Sequence, residues 1–134
     1  MPNRAIEFHD STLASITVAE SGDVILHLSS AYIHESHGEP GRDAGSGWVQ
    51  EARIHVMGAA VAGSLLELPC NLRDGEVQLD GEVFQLLPIP FDRHGSVQLD
   101  LECMPTGNKI RITGSGLRLE MLGVATYVEE VNFR

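Results

Sequence analysis

The sequence predicts an all-β domain, an antiparallel sandwich or nearly closed barrel of about 8–10 strands. Three observations predict it. Apolar and polar residues alternate with a period of two, as in Val97, Leu99, Leu101 and Cys103 against Gln98, Asp100 and Glu102. That is the pattern of strands with one buried and one wet face. Glycine and turn residues interrupt these runs at short intervals. Finally, a chain of 134 residues, 43% of them hydrophobic, is one domain's length and can bury a core without staples. We read residues 1–134 as a single β domain.

The elements follow in order. Glu20-Ser21-Gly22-Asp23 separates a strand near Leu13–Ala19 from one near Val24–Ser30. The stretch from His37 to Gly47, rich in glycine and charge, reads as a long loop. Trp48, Ala52, Ile54 and Val56 then alternate with Arg53 and His55. Between Val56 and Leu68, the residues Ala59, Ala60, Val61, Ala62, Leu65 and Leu66 admit a helical turn. Gly58 and Gly63 would each cost a helix about 1 kcal/mol, so the preferred reading is a long strand that bends at the glycines.

Asp74-Gly75, Asp80-Gly81, His94-Gly95, Pro105-Thr106-Gly107-Asn108 and Gly114-Ser115-Gly116 read as turns. Gly75-Glu76-Val77-Gln78-Leu79-Asp80 is echoed by Gly95-Ser96-Val97-Gln98-Leu99-Asp100, two similar turn-and-strand solutions. Leu87-Pro88-Ile89-Pro90 lacks two ladder donors and belongs at a sheet edge or crossover. A loop of Pro105–Asn108 would pair Cys103 with Ile110 and Glu102 with Arg111. In the last strand, alternation puts Glu129 on the face of Tyr127, Val131 and Phe133. A bulge at Glu129-Glu130, letting Val128 and Val131 face inward, would relieve this; otherwise Glu129 needs a partner.

Nine basic residues face nineteen acidic ones, for a net charge of −10. Such a field repels phosphate backbones, which need clustered Lys and Arg. Nucleic acid and anionic membrane surfaces are therefore poor partners, while a basic protein, a cation or a neutral ligand remains compatible with it. No apolar run approaches the ~20 residues of a membrane span. The start, Met1-Pro2-Asn3-Arg4-Ala5-Ile6-Glu7, carries no apolar export segment. With only Cys70 and Cys103 and no C-x-x-C, the expectation is two free thiols in the cytoplasm.

Chemistry is sparse. His27, His34, Glu35 and His37 are the candidate metal ligands, since imidazole and carboxylate suit zinc, iron or manganese. In an extended run His34 and His37 point to opposite faces, so a site needs a turn at Ser36. Gly45-Ser46-Gly47 and Gly114-Ser115-Gly116 lack the spacing of a nucleophile elbow and read as turns requiring positive φ. No catalytic residue and no cofactor are expected.

The run Ile6-Glu7-Phe8-His9-Asp10-Ser11-Thr12-Leu13, followed by Ile16, resembles the start of small bacterial β-rich proteins of the immunity protein 50 family. Gly123-Val124-Ala125-Thr126-Tyr127-Val128-Glu129 resembles related uncharacterised proteins. The resemblance implies a protein that neutralises a partner toxin by binding it, without catalytic residues, with His9 and Asp10 forming a structural corner. The leading expectation is thus an acidic binding protein without catalysis. A barrel holding a small ligand and a metal-dependent enzyme are the alternatives. A homodimer through an edge strand is a further expectation.

Overall fold

The computed structural model describes residues 2–63 and 67–132. The described residues form nine strands and no helix: β1 (Asn3–Val18), β2 (Val24–Ser36), β3 (Gly45–Met57), β4 (Ala60–Gly63), β5 (Cys70–Leu79), β6 (Glu82–Phe84), β7 (Leu86–Ile89), β8 (Asp92–Met104) and β9 (Lys109–Val131). Every pairing is antiparallel, in the order β6-β5-β8-β9-β3-β2-β1-β7. β1 also pairs with β5, at Thr12–Asn71 and Leu13–Cys70, so β1, β2, β3, β9, β8 and β5 form a ring.

Alternation builds the core as expected. Val97, Leu99, Leu101 and Cys103 of β8 and Ile110, Ile112 and Leu117 of β9 are buried. They join Ile6, Phe8, Leu13, Leu26, Leu28, Ile33, Ile54 and Leu72 in one cluster inside the ring. Each fully buried Leu, Ile or Phe contributes roughly 1.5–3 kcal/mol. The long strand that bends at glycine is present: β3 and β4 pair with β9 in one continuous register on either side of Gly58. Leu65 and Leu66, part of the helical alternative, lie outside the described residues. The proline-rich segment forms β7 at the sheet edge. The two echoed hexapeptides lie mostly side by side, with Val77 opposite Leu99 and Gln78 opposite Gln98.

Several expectations are corrected. Cys70 and Cys103 are joined in a disulfide rather than free, because β5 and β8 are adjacent and place the two residues side by side. The loop between β8 and β9 is Pro105–Asn108 as expected, but its register differs: Gly107 N donates to Cys103 O and Cys103 N to Asn108 O, with φ +74° at Gly107. Glu102 therefore faces Lys109, Leu101 faces Ile110 and Asp100 faces Arg111. This is a slip of two residues, which keeps every side chain on its expected face.

Glycine misled in a consistent way. Asp80-Gly81 is a true two-residue turn, with positive φ at both positions, as this hairpin type requires. Gly75, His94-Gly95 and Gly114-Ser115-Gly116 instead lie inside strands. A Cβ on Gly75 would meet Phe8 Cβ at 2.6 Å, and one on Gly114 would meet Met57 O at 2.5 Å. Gly45 and Gly47 likewise lie in β3, without positive φ, against Glu35 and Tyr32. These glycines serve close approach rather than turning.

β9 outruns its neighbour. Its ladder with β8 ends at Arg118, while its ladder with β3 continues to Val131. The expected bulge lies at Val128, one residue early, and a wider one sets Gly123–Ala125 against Gln50. Val128 is consequently 45% exposed rather than inward-facing. Phe133 lies outside the described residues.

Candidate functional site

The end of the sheet where β1, β2, β3 and β9 lie side by side gathers the most polar chemistry. His34 of β2 sits between Ala5 of β1 and Gly47 of β3, and Gly47 is paired in turn with Glu129 of β9. Small neighbours on both sides leave room for large side chains. The Tyr32 hydroxyl occupies the space over Gly47, where a Cβ would stand. It donates to Glu129 Oε1 at 2.8 Å. The rings of Tyr32 and His34 meet edge to face at 5.2 Å, and His34 Nε2 contacts Glu7 Oε2.

β1 is shaped to allow this. It bulges between Glu7 and Thr12, with Asp10 in the left-handed region at φ +71°. The buried Ser11 hydroxyl donates to Glu7 O at 2.6 Å and accepts from Tyr32 N at 2.9 Å. His9 Nδ1 lies 2.8 Å from Arg73 O on β5. His9 and Asp10 thus sit at a corner of β1, which stays paired with β2 on both sides of it while its other edge passes from β7 to β5.

On the opposite face of β9, Tyr127 OH donates to Glu130 Oε1 at 3.0 Å, and Trp48 meets Tyr127 edge to face at 5.4 Å. Each glutamate is held by a phenol. Burial, then the Glu129 hydrogen bond, pushes the Tyr32 phenol well above its usual range. The Glu130 hydrogen bond, then desolvation, raises Tyr127. Both phenols therefore remain donors at neutral pH. Among the described residues no Lys, Arg or His forms an ion pair with Glu129 or Glu130.

The metal candidates are not brought together. His34 is buried against Glu7 and Tyr32, while Glu35 lies on the opposite face, 3.7 Å from Arg4, as the alternation of a strand dictates. His37 is exposed in the bend after β2. His27 lies further along β2, 2.5 Å from Glu51. The described residues contain no group of three or more His, Cys, Asp or Glu that could hold a metal ion. His55, 3.0 Å from Glu120, belongs to the same outer ladder as His27, and its hydrogen bond lowers the Glu120 carboxyl.

Glu129 betrayed itself by breaking the alternation, and the structure supplies its partner in Tyr32. Glu7 and Tyr32 gave no such signal, because a tyrosine at a core-like position is the ordinary case. A second feature is an open groove of about 530 Å³ on the outer face of β5, β8 and β9. Two of its four carboxylates are answered by cations: Arg111 Nε donates to Asp100 at 2.8 Å, and Lys109 and Arg73 flank Glu102.

Fold and site together define an all-β protein of one antiparallel ring-forming sheet with an acidic and aromatic end. No protein family, curated protein or solved structure matches the chain. No helix of the described residues is long and apolar enough to cross a membrane.

Proposed function

We propose that this is a binding protein without catalysis that recognises a basic protein partner at the β3–β9 end of the sheet. The carrying observation is the pair Glu129 and Glu130, each oriented by a tyrosine hydroxyl and neither in an ion pair within the described structure. Carboxylates fixed in advance lose little freedom when a Lys or Arg arrives. Around them lie Tyr127 at 48% exposure, Val128 at 45% and Val124 at 89%, with Trp48 half-buried beneath. Aromatic anchors beside fixed charges are the composition of interface hot spots. The net charge of −10 would steer a cationic partner toward the molecule.

The likeness to immunity protein 50 supports the same reading, since such proteins act by binding. The filled ring interior, with Ile6, Leu13, Leu26 and Leu99 fully buried, gives a small-ligand carrier less support. For a homodimer through an edge strand, the side of β9 beyond Arg118 is the longest unpaired edge among the described residues. Its two bulges break the regular spacing of donors and acceptors that strand addition needs. Recognition by side chains suits this edge better.

Capture from a lysate of the host with immobilised protein tests the reading. Wild type should retain basic proteins at low salt and release them at high salt, and an E129Q/E130Q variant should retain far less. Retention that is indifferent to salt and to the substitutions would overturn it.

A further inference from the structure

We infer that the Cys70–Cys103 disulfide is a redox latch on the seam that closes the ring, opened by a dithiol reductant. The inference is independent of the partner-binding end. It rests on where the crosslink stands in the topology.

The ring closes by the thinnest ladder in the sheet. β1 and β5 share only the pairs Thr12–Asn71 and Leu13–Cys70, supported by Thr12 Oγ1 to Asn71 Oδ1 at 3.1 Å and His9 to Arg73 O. Both strands are irregular beside these pairs. β1 bulges between Glu7 and Thr12, and β5 bulges at Arg73. Few backbone bonds flanked by bulges make a segment that opens locally before the rest of a fold does.

The disulfide lies at this segment. Cys70 is the first residue of β5 and the partner of Leu13. Cys103 faces Leu72 near the end of β8, where its backbone is tied to Gly107 and Asn108 of the following turn. The crosslink therefore fixes the first residue of β5 to the β8–β9 hairpin. Without it, Cys70 is held by its pair with Leu13 and by a ladder to β8 that begins only at Asn71.

Exposure is 7% at Cys70 and 2% at Cys103, so a reductant reaches the sulfurs only when the seam parts. A thiolate of the dithiol then attacks Sγ of Cys70, the more exposed of the two residues. The Cys103 thiolate leaves and takes a proton. The second thiol of the reductant attacks its own sulfur in the mixed disulfide, releasing Cys70, which is protonated in turn. The reductant departs as a disulfide, having delivered two electrons. Reduced, the seam has lost its anchor and stays open for longer. Opening uncovers Phe8, Leu13 and Leu72 of the core and loosens Asp74 and Gly75, which line the β5–β8–β9 groove.

Hydrogen exchange on the full chain, oxidised and then treated with dithiothreitol, tests the latch. Amides of residues 9–13 and 70–75 should exchange about tenfold faster or more after reduction, while those of 48–56 and 117–122 keep their protection. A Cys103→Ser variant should show the same pattern without reductant, and reoxidised wild type should recover. Unchanged exchange at the seam would overturn the inference. So would loss of protection throughout, which would make the disulfide a staple of the whole fold. Two thiols titrating in the folded chain before any reductant is added would overturn it as well.

Discussion

The Tyr32 hydroxyl reaches Glu129 by passing over Gly47, so a hydrogen bond between β2 and β9 depends on a missing side chain in the strand between them. Gly47 has no positive φ, so an alanine there is backbone-compatible and its effect is purely one of packing. Gly47→Ala should displace the phenol and destabilise the fold by about 1–3 kcal/mol, the usual range for overfilling a packed site. Urea unfolding measures the loss. In the Tyr32→Phe background, which removes the hydroxyl and leaves Cζ at 2.8 Å to give way, the same alanine should cost less.

The two tyrosines should separate in alkaline solution. Burial and Glu129 raise Tyr32, and Glu130 raises Tyr127 more mildly. A phenol whose folded value is raised contributes stability that is complete below its unfolded value of about 10 and is lost as pH rises through the folded value. Phenolate absorbance should therefore show Tyr127 ionising first. Tyr32 should ionise last, together with unfolding, and Tyr32→Phe should remove that final step. Simultaneous ionisation of both at the ordinary pH would contradict the buried hydrogen bond.

His9 should give the β1–β5 contact a modest dependence on pH. The Arg73 carbonyl raises its ionisation first; desolvation opposes this, and Asp10, Glu7 and Asp74 add to it. With the folded value raised, the contribution is complete below about pH 6.5 and declines as pH climbs past the folded value. His9 is largely exposed, so the effect is small. The stability difference between wild type and His9→Asn should shrink from mildly acidic to mildly alkaline pH. A difference that grows would contradict the assigned contact.

Gly75 and Phe8 should behave as one unit. A Cβ on Gly75 would stand 2.6 Å from both Phe8 Cβ and Cγ and 2.9 Å from Leu101 Cδ2. Gly75→Ala should cost about 1–3 kcal/mol. Phe8→Leu should absorb part of that, with a coupling of roughly 0.5–3 kcal/mol in a double-mutant cycle. Additive effects would mean that the ring of Phe8 does not rest on Gly75.

The sequence alone determined which face of each strand is buried. Period-two alternation is local, and burial enforces it strongly, so Val97 to Cys103 and Ile110 to Leu117 declared their core faces directly. Proline chemistry kept Leu87–Pro90 out of a sheet interior, leaving an edge or a crossover, and Gly58 marked the bend between β3 and β4, again through local backbone rules. Partnership across strands was not legible. A slip of two residues preserves every face, so alternation could not separate Glu102–Lys109 from Glu102–Arg111. A glycine that turns the chain and one that admits a neighbour look alike in sequence, as Gly81 and Gly75 do. Only the assembled sheet brings Phe8 over Gly75, Cys70 beside Cys103 and Tyr32 to Glu129. Those contacts join residues far apart in the chain, and their geometry exists only once the ring has closed.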